Sequence, residues 1–333
     1  LTTSVSPSGA GRVSPASGTY PWGASVTLTA NVDAGWQFSS WGGDASGTQK
    51  PITITMDGNK RVSATFVPHP AGRIAFARGD GIWVMNGDGT GLKRLTDTVA
   101  RDERPAFSPD GFRIAFANYF RAGIVGTFGN MEIYTIKADG TEVKRVTVHP
   151  ANDVDPAWSP DSSRMVFISG RDGNNKVYVM NADGTGLKRL LTNTAAWESA
   201  PAWSPDGFRI AFVRGGDIYV MNAEGSNVRQ LTSHPAPEHD PAWSPDGSRI
   251  AFTREVDGNR EIYVMNADGS GAKNLTNNPA YDERPAWSPD GTKIAFASGR
   301  DGNIEIYVMN ADGTKVTRLT NDPADDRTPT WGR

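Results

Sequence analysis

Six carboxylates recur at one offset in this 333-residue chain: Asp102, Asp153, Glu198, Glu238, Asp282 and Asp326 each stand three residues before a proline. Like charges gathered round one axis form a site for a cation or a basic segment. All six are therefore candidate ligands for calcium or another cation, and no cofactor is otherwise required. Asp155 and Asp240 add acid two residues further on, Trp197 and Tyr281 add aromatic rings, and His239 adds an imidazole. Arg101, Arg104, Arg284 and Arg327 offset some copies, which leaves Asp153, Asp155, Glu198, Glu238 and Asp240 as the most negative stretch. Two readings of the six stand side by side. Each carboxylate accepts hydrogen bonds from the amides of its own loop, or together they form a ligand site. A device repeated in every copy favours the first.

Other chemistry is sparse. His149 and His234 hold equivalent positions before a proline, but they fall two repeats apart with no evident partner for a lyase-like base. There is no G-x-S-x-G elbow, and no H-E-x-x-H or Walker loop. Asp-Gly strings such as Gly87-Asp88-Gly89 lack the carboxylate ladder of a calcium loop. With no cysteine, disulfides, thiolate metal sites and cysteine nucleophiles are excluded. A formal charge of 34 − 37 = −3 argues against a nucleic-acid binder. No apolar run approaches the ~18 residues of a membrane span. The chain opens on Leu1 rather than Met, so it is expected to start after a removed leader or at a cloning boundary.

The elements that position these residues are repeats. Pro-Ala-Trp occurs at Pro156, Pro201, Pro241 and Pro285, with variants at Pro105 and Pro329, at spacings of 51, 45, 40, 44 and 44. Each unit reads as four short strands, exemplified by Pro285–Ser288, Ile294–Phe296, Ile306–Met309 and Thr317–Thr320. Ser288-Pro289-Asp290-Gly291 and Asn310-Ala311-Asp312-Gly313 supply the turns between them. Leu190-Leu191 adds a residue to one fourth strand, which predicts a β-bulge. Four strands in ~40–45 residues is the arithmetic of a β-propeller. The first unit starts at strand two and the last element is a lone strand one. The sequence thus predicts six blades closed by the C-terminal strand. Phe107, Trp158, Trp203, Trp243, Trp287 and Trp331 form one packing layer on this reading, and Phe76, Phe116, Phe167, Phe212, Phe252 and Phe296 another. The Lys-Arg pairs at 93–94, 144–145 and 188–189 fall on outer strands, where charge blocks edge pairing.

The run WSPDG…IAF…IYVMNADG…RLT, over residues 71–333, resembles the WD40-like Pro-Asp repeat of TolB-type β-propellers. The resemblance implies a non-catalytic protein-binding platform of the bacterial envelope. The same blades also occur fused to serine peptidases and in a few lyases. The α/β domain that accompanies the propeller in TolB has no counterpart in residues 1–67. That segment reads as short strands at 26–30, 36–38, 52–56 and 62–66. Its frame, SPSGAGRVSPASGTYPWGASVTLTA…GWQFSSWGGDASG, resembles the divergent internalin-B-repeat module of secreted and surface proteins. Tyr20, Trp22, Trp36 and Trp41 serve its core or a sugar-stacking surface, with the core favoured in so small a unit.

The expected fold is all-β. A small N-terminal module (1–67) and a linker (68–71) precede a six-bladed propeller (72–333). Function belongs to the variable face, which carries the loops from strand two to three and from strand four to the next blade. There, residues 118–131 form an unusually long loop with Tyr119, Phe120 and Phe128, either a partner contact or a hairpin folded on its own blade. The expected function is a secreted, periplasmic or cell-surface binding protein, monomeric, presenting its channel mouth to a protein, peptide or small ligand. The alternatives are a carbohydrate-binding or polysaccharide-degrading protein using the same mouth, and a structural display unit.

Overall fold

The repeated turns are built as their residue types require. In Ser288-Pro289-Asp290-Gly291, the Ser288 hydroxyl donates to Asp290 at 2.6 Å and accepts from the Lys293 amide at 2.9 Å, while the Gly291 amide closes on the Ser288 carbonyl at 2.8 Å. Ser108, Ser159, Ser204 and Ser244 repeat the arrangement. The second turn also joins neighbouring repeats. Gly313 has φ of +92°, and a Cβ there would lie 2.7 Å from the Leu275 carbonyl oxygen of the preceding repeat, so both conformation and space demand glycine.

The computed structural model describes residues 1–32, 36–68, 72–97, 101–120, 129–190 and 194–332. It divides into two compact units, Leu1–Arg73 and Ile74–Gly332. Among the described residues all regular structure is strand. The N-terminal unit holds two three-stranded sheets: Thr2–Ser6, Arg61–Pro68 and Trp36–Gly43, and Gly11–Ser14, Ser25–Val32 and Ile52–Thr55. Leu28, Trp41, Ala64 and Phe66 are buried between them. Tyr20 and Trp36 pack on that core, whereas Trp22 is exposed.

The second unit is six four-stranded antiparallel sheets among the described residues. Sheet I joins the C-terminal strand Asp326–Gly332 to Arg73–Arg78, Gly81–Asn86 and Lys93–Arg94. Sheets II to VI follow in order, opening on Asp102–Phe107, Asp153–Trp158, Glu198–Trp203, Glu238–Trp243 and Asp282–Trp287. The first strands of successive sheets touch from II to VI, that of VI touches that of I, and that of I touches that of II. All six expected phenylalanines have no exposed surface, and each of Trp158, Trp203, Trp243 and Trp287 is buried. The Trp158 indole donates to the Ala106 carbonyl of the preceding sheet at 3.1 Å. The outer-strand lysines also join sheets: Lys93 donates to the Asp139 carbonyl at 2.7 Å and Lys144 to that of Asp183 at 3.2 Å.

One expectation is amended by this geometry. Tyr119 and Phe120 belong to strand Arg113–Phe120, which pairs with Asn130–Lys137, so the long loop is shorter than its sequence implied. Residues 121–128, with Phe128, lie outside the described residues, as does Leu191.

Candidate functional site

The first strands of sheets II to VI each carry a bulge in the middle. In sheet II the pairing with Arg113–Phe120 shifts register between Glu103 and Ala106, and sheets III to VI shift at the same place. The residue before the proline of each first strand is left-handed: Arg104, Asp155, Ala200, Asp240, Arg284 and Thr328 have φ between 47° and 58°. Proline has no amide to give the ladder and is accommodated in a strand at such a bulge. A left-handed non-glycine residue costs roughly 1–2 kcal/mol. These six residues and their prolines come together round one cavity of about 140 Å3.

The lining of that cavity is dipolar. In sheet order, Arg284, Thr328 and Arg104 form one arc, and Asp155, Ala200 and Asp240 the other. Arg104 forms an ion pair with Asp155, and Asp155 also accepts from the Ala200 amide at 3.1 Å. Arg104 keeps 31% of its side chain open to the cavity. Burial, and after it the neighbouring Arg284, lower its pKa to about 10 against the opposing pull of Asp240. Thr328 presents a buried hydroxyl with no hydrogen-bond partner. An adjoining cavity of about 160 Å3 shares Arg104, Asp240 and Arg284 and adds His239, Arg260 and Glu283.

The six recurrent carboxylates lie elsewhere. Asp102, Asp153, Glu198, Glu238, Asp282 and Asp326 are at most 1% exposed and do not line the cavity. Each is held by a side chain of the second strand or of the turn after it. Asp326 takes two bonds of 2.6 Å from Arg78, Glu238 bonds of 3.0 and 2.7 Å from Arg254, and Glu198 two of 3.2 Å from Arg214. Asp153 and Asp282 are held by Arg171 and Arg300, and Asp102 by Asn118. The same arginines stack on aromatic rings of their own sheet, as Arg254 does 4.5 Å from the Tyr263 centroid. Burial pushes Asp153, Asp282 and Asp326 upward while their arginines pull them back. The amide-bonded reading of the ring thus needs correction, because charged side chains satisfy most of these acids. The reading of an exposed acidic mouth also fails, because the acids are wholly buried. Among the described residues no three His, Asp or Glu side chains gather as a metal set.

The remaining candidates separate. Trp197 is 70% exposed at a third cavity of about 360 Å3, with Asn130, Asn152, Asn174 and Asn175. Tyr281 is exposed and lines none of these cavities. The Nδ1 atoms of His149 and His234 accept from the amides of Ala151 and Ala236, so each imidazole caps its own loop.

Repeated four-stranded antiparallel sheets, packed first strand to first strand around a polar cavity, define a β-propeller. Residues 122–214, 184–283 and 238–333 match the TolB beta propeller domain, and the chain belongs to that family. Residues 1–70 match the Divergent InlB B-repeat domain. A protein TolB homolog of Chlorobium luteolum is 33% identical over 119 residues, 25% of this chain and 27% of the relative. Dipeptidyl-peptidase 5 of Porphyromonas endodontalis is 30% identical over 86 residues, 26% of this chain and 11% of the relative. The chain thus spans about a quarter or less of these relatives' length. The TolB structure from Acinetobacter baumannii has a TM-score of 0.68 at 23% identity, over 80% of this chain and 68% of that one.

Proposed function

We propose that the protein is a non-catalytic binding protein of the bacterial envelope, whose second unit is a closed six-bladed propeller offering its central cavity to a protein or peptide. The dipolar arc of Arg284, Thr328 and Arg104 against Asp155 and Asp240 carries this reading. Its facing charges complement a segment bearing both signs, whereas a simple acidic ring would call for a cation. The cyclic order of first-strand contacts, with the C-terminal strand inside sheet I, supports six blades closed by that strand. The TolB homolog and TolB structure support the envelope location and the protein partner.

A photo-cross-linking residue at Ser199, beside the second cavity, tests it. Irradiated with an envelope extract, it should trap a defined protein, and Asp240→Asn with Arg284→Gln should abolish the adduct. Peptidase, esterase and polysaccharide substrates should show no turnover. Turnover lost on His239→Ala would overturn the binding reading.

A further inference from the structure

The third cavity departs from the symmetry of the sheets in a way that points to a ligand. In sheets II, V and VI the third strand follows the pattern Asn-x-Glu: Asn130 and Glu132, Asn259 and Glu261, Asn303 and Glu305. There the asparagine amide donates to the glutamate and to carbonyls of the following loop, as Asn303 does to Glu305 at 3.3 Å and to Asp322 at 2.8 Å. In sheet III the glutamate is replaced by Lys176, which is 2% exposed. Its ammonium donates to the carbonyls of Thr194 and Ala196 at 2.7 and 2.6 Å. Asn174 donates to the carbonyl between them, Ala195, at 2.6 Å. Three bonds therefore fix the short segment that ends in Trp197.

That segment presents the indole outward. The loop position that caps a third strand in sheets II and VI is Asn152 or Asp325, whose oxygens accept from the amides of Met131 and Ile304. In sheet III the position is Trp197, and its ring stays 70% exposed at the edge of the cavity. The amides around it are incompletely spent. The Asn174 Oδ1 atom is buried without a hydrogen-bond partner, as is that of Asn259 in sheet V, but only Asn174 lies at an open cavity beside an exposed ring. Among the described residues the side chain of Asn175 and the Nδ2 of Asn152 also make no hydrogen bond. Among the described residues no charged side chain lines the cavity, whose volume of about 360 Å3 falls in the range of small-ligand sites, roughly 300–1,000 Å3.

We propose that this groove binds a neutral pyranose of a glycan, the sugar face stacking on Trp197 and its hydroxyls pairing with Asn152, Asn174 and Asn175. An uncharged lining selects against ionic ligands, because a charge desolvated there would find no counter-charge. Side-chain amides offer a donor and an acceptor on one rigid plane, which suits vicinal hydroxyls. The weakly polar face of a sugar ring suits an indole left open to solvent, as Trp197 is. This site is separate from the central cavity and does not rest on the function proposed for it.

Isothermal titration of the whole chain with neutral hexaoses (cello-, malto-, manno- and chitohexaose) tests the assignment, with polygalacturonate as the charged control. At least one neutral hexaose should bind, and polygalacturonate should not. Trp197→Ala should weaken that binding about tenfold or more, a loss of about 1.4 kcal/mol. Trp197→Phe should retain most of it, and Asn175→Ala should weaken it. Asp240→Asn should leave it unchanged. Trp197 is exposed, so Trp197→Ala should melt with the parent, which separates lost binding from lost folding. The assignment is overturned if no neutral hexaose binds, if only polygalacturonate binds, if Trp197→Ala leaves affinity unchanged, or if Trp197 cross-links a protein while no sugar binds.

Discussion

Arg78 ties the C-terminal strand to the start of the second unit, and its removal should be the most informative single change. Its guanidinium holds Asp326 with two bonds of 2.6 Å and reaches Asp322 at 3.1 Å, while its plane lies 4.8 Å from the Trp83 centroid. Arg78→Met keeps much of the apolar stem but strands a carboxylate with no exposed surface. Removing one partner of a buried pair costs about 3–5 kcal/mol. At about 2–4 °C per kcal/mol for a unit of this size, Tm should fall by on the order of 10 °C at neutral pH. The loss should shrink in acid. Burial already pushes the folded Asp326 upward against the pull of Arg78, and the variant removes that pull. A raised folded pKa means that protonation favours the fold below the ordinary carboxylate range, and the benefit disappears as pH rises through the raised value. The deficit is therefore smallest near pH 4 and largest at neutrality. Arg78→Met with Asp326→Leu should recover most of it, since an apolar pair replaces the ion pair without a stranded charge. Differential scanning calorimetry across pH reads all three. A single variant that melts with the parent at pH 7, or a double variant no better than the single, would refute the reasoning.

Deleting residues 328–333 removes Trp331, which packs on Ile74 and Phe76, and should cost several kcal/mol. An unchanged Tm would sink the closure of sheet I. Ala200→Gly relieves a φ of +47°, worth roughly 1–2 kcal/mol, against roughly 0.5–1 kcal/mol of added chain entropy. Urea titration should show a gain below about 1 kcal/mol for glycine and a clear loss for Ala200→Val. Hydrogen bonds from Ser159 and Ser163 hold Asp161 at about 2, and Ser244 and Ser248 do the same for Asp246. Their contribution is present above the ordinary carboxylate pKa and is lost as pH falls toward about 2. Asp161→Asn with Asp246→Asn should flatten that acid limb of the melting curve, and an identical limb would count against it.

The fold was legible where chemistry is local. Turns, strand alternation and the phenylalanine layer follow from residues within a few positions of one another. The partners of the six carboxylates were not seen because they lie across a hairpin. Glu198 and Glu238 meet arginines sixteen residues on, and Asp153 and Asp282 meet theirs eighteen residues on. That distance was available, since the hairpin length fixes which residues oppose each other. The arginines weighed in the sequence, such as Arg101 and Arg327, are instead exposed and pair with Glu103 and Asp325 within their own strand ends. The strands Thr2–Ser6 and Gly11–Ser14 were missed because TTSVS and GRVS carry one apolar residue each. Their place is set by pairing with Arg61–Pro68 and Ser25–Val32.

The bulges have the same lesson with a functional consequence. Six prolines in strand interiors signalled a broken ladder, yet the consequence appears only in three dimensions. The break turns the residue before each proline toward the shared cavity, and the acid two residues earlier stays inside its own sheet. Counting acids per repeat therefore overstated the negative charge available to a ligand. Of the five acids in the most negative stretch, only Asp155 and Asp240 line the cavity, and Arg104 already engages the first. The positions that recur as acids are satisfied within their own sheets. The positions that differ from sheet to sheet, at the bulge and at Trp197, are the ones left facing open space. A binding surface on a repeat scaffold is thus found by asking which departures from the repeat face open space, and here they are Thr328 at the central cavity, whose hydroxyl has no hydrogen-bond partner, and the exposed Trp197 at the groove.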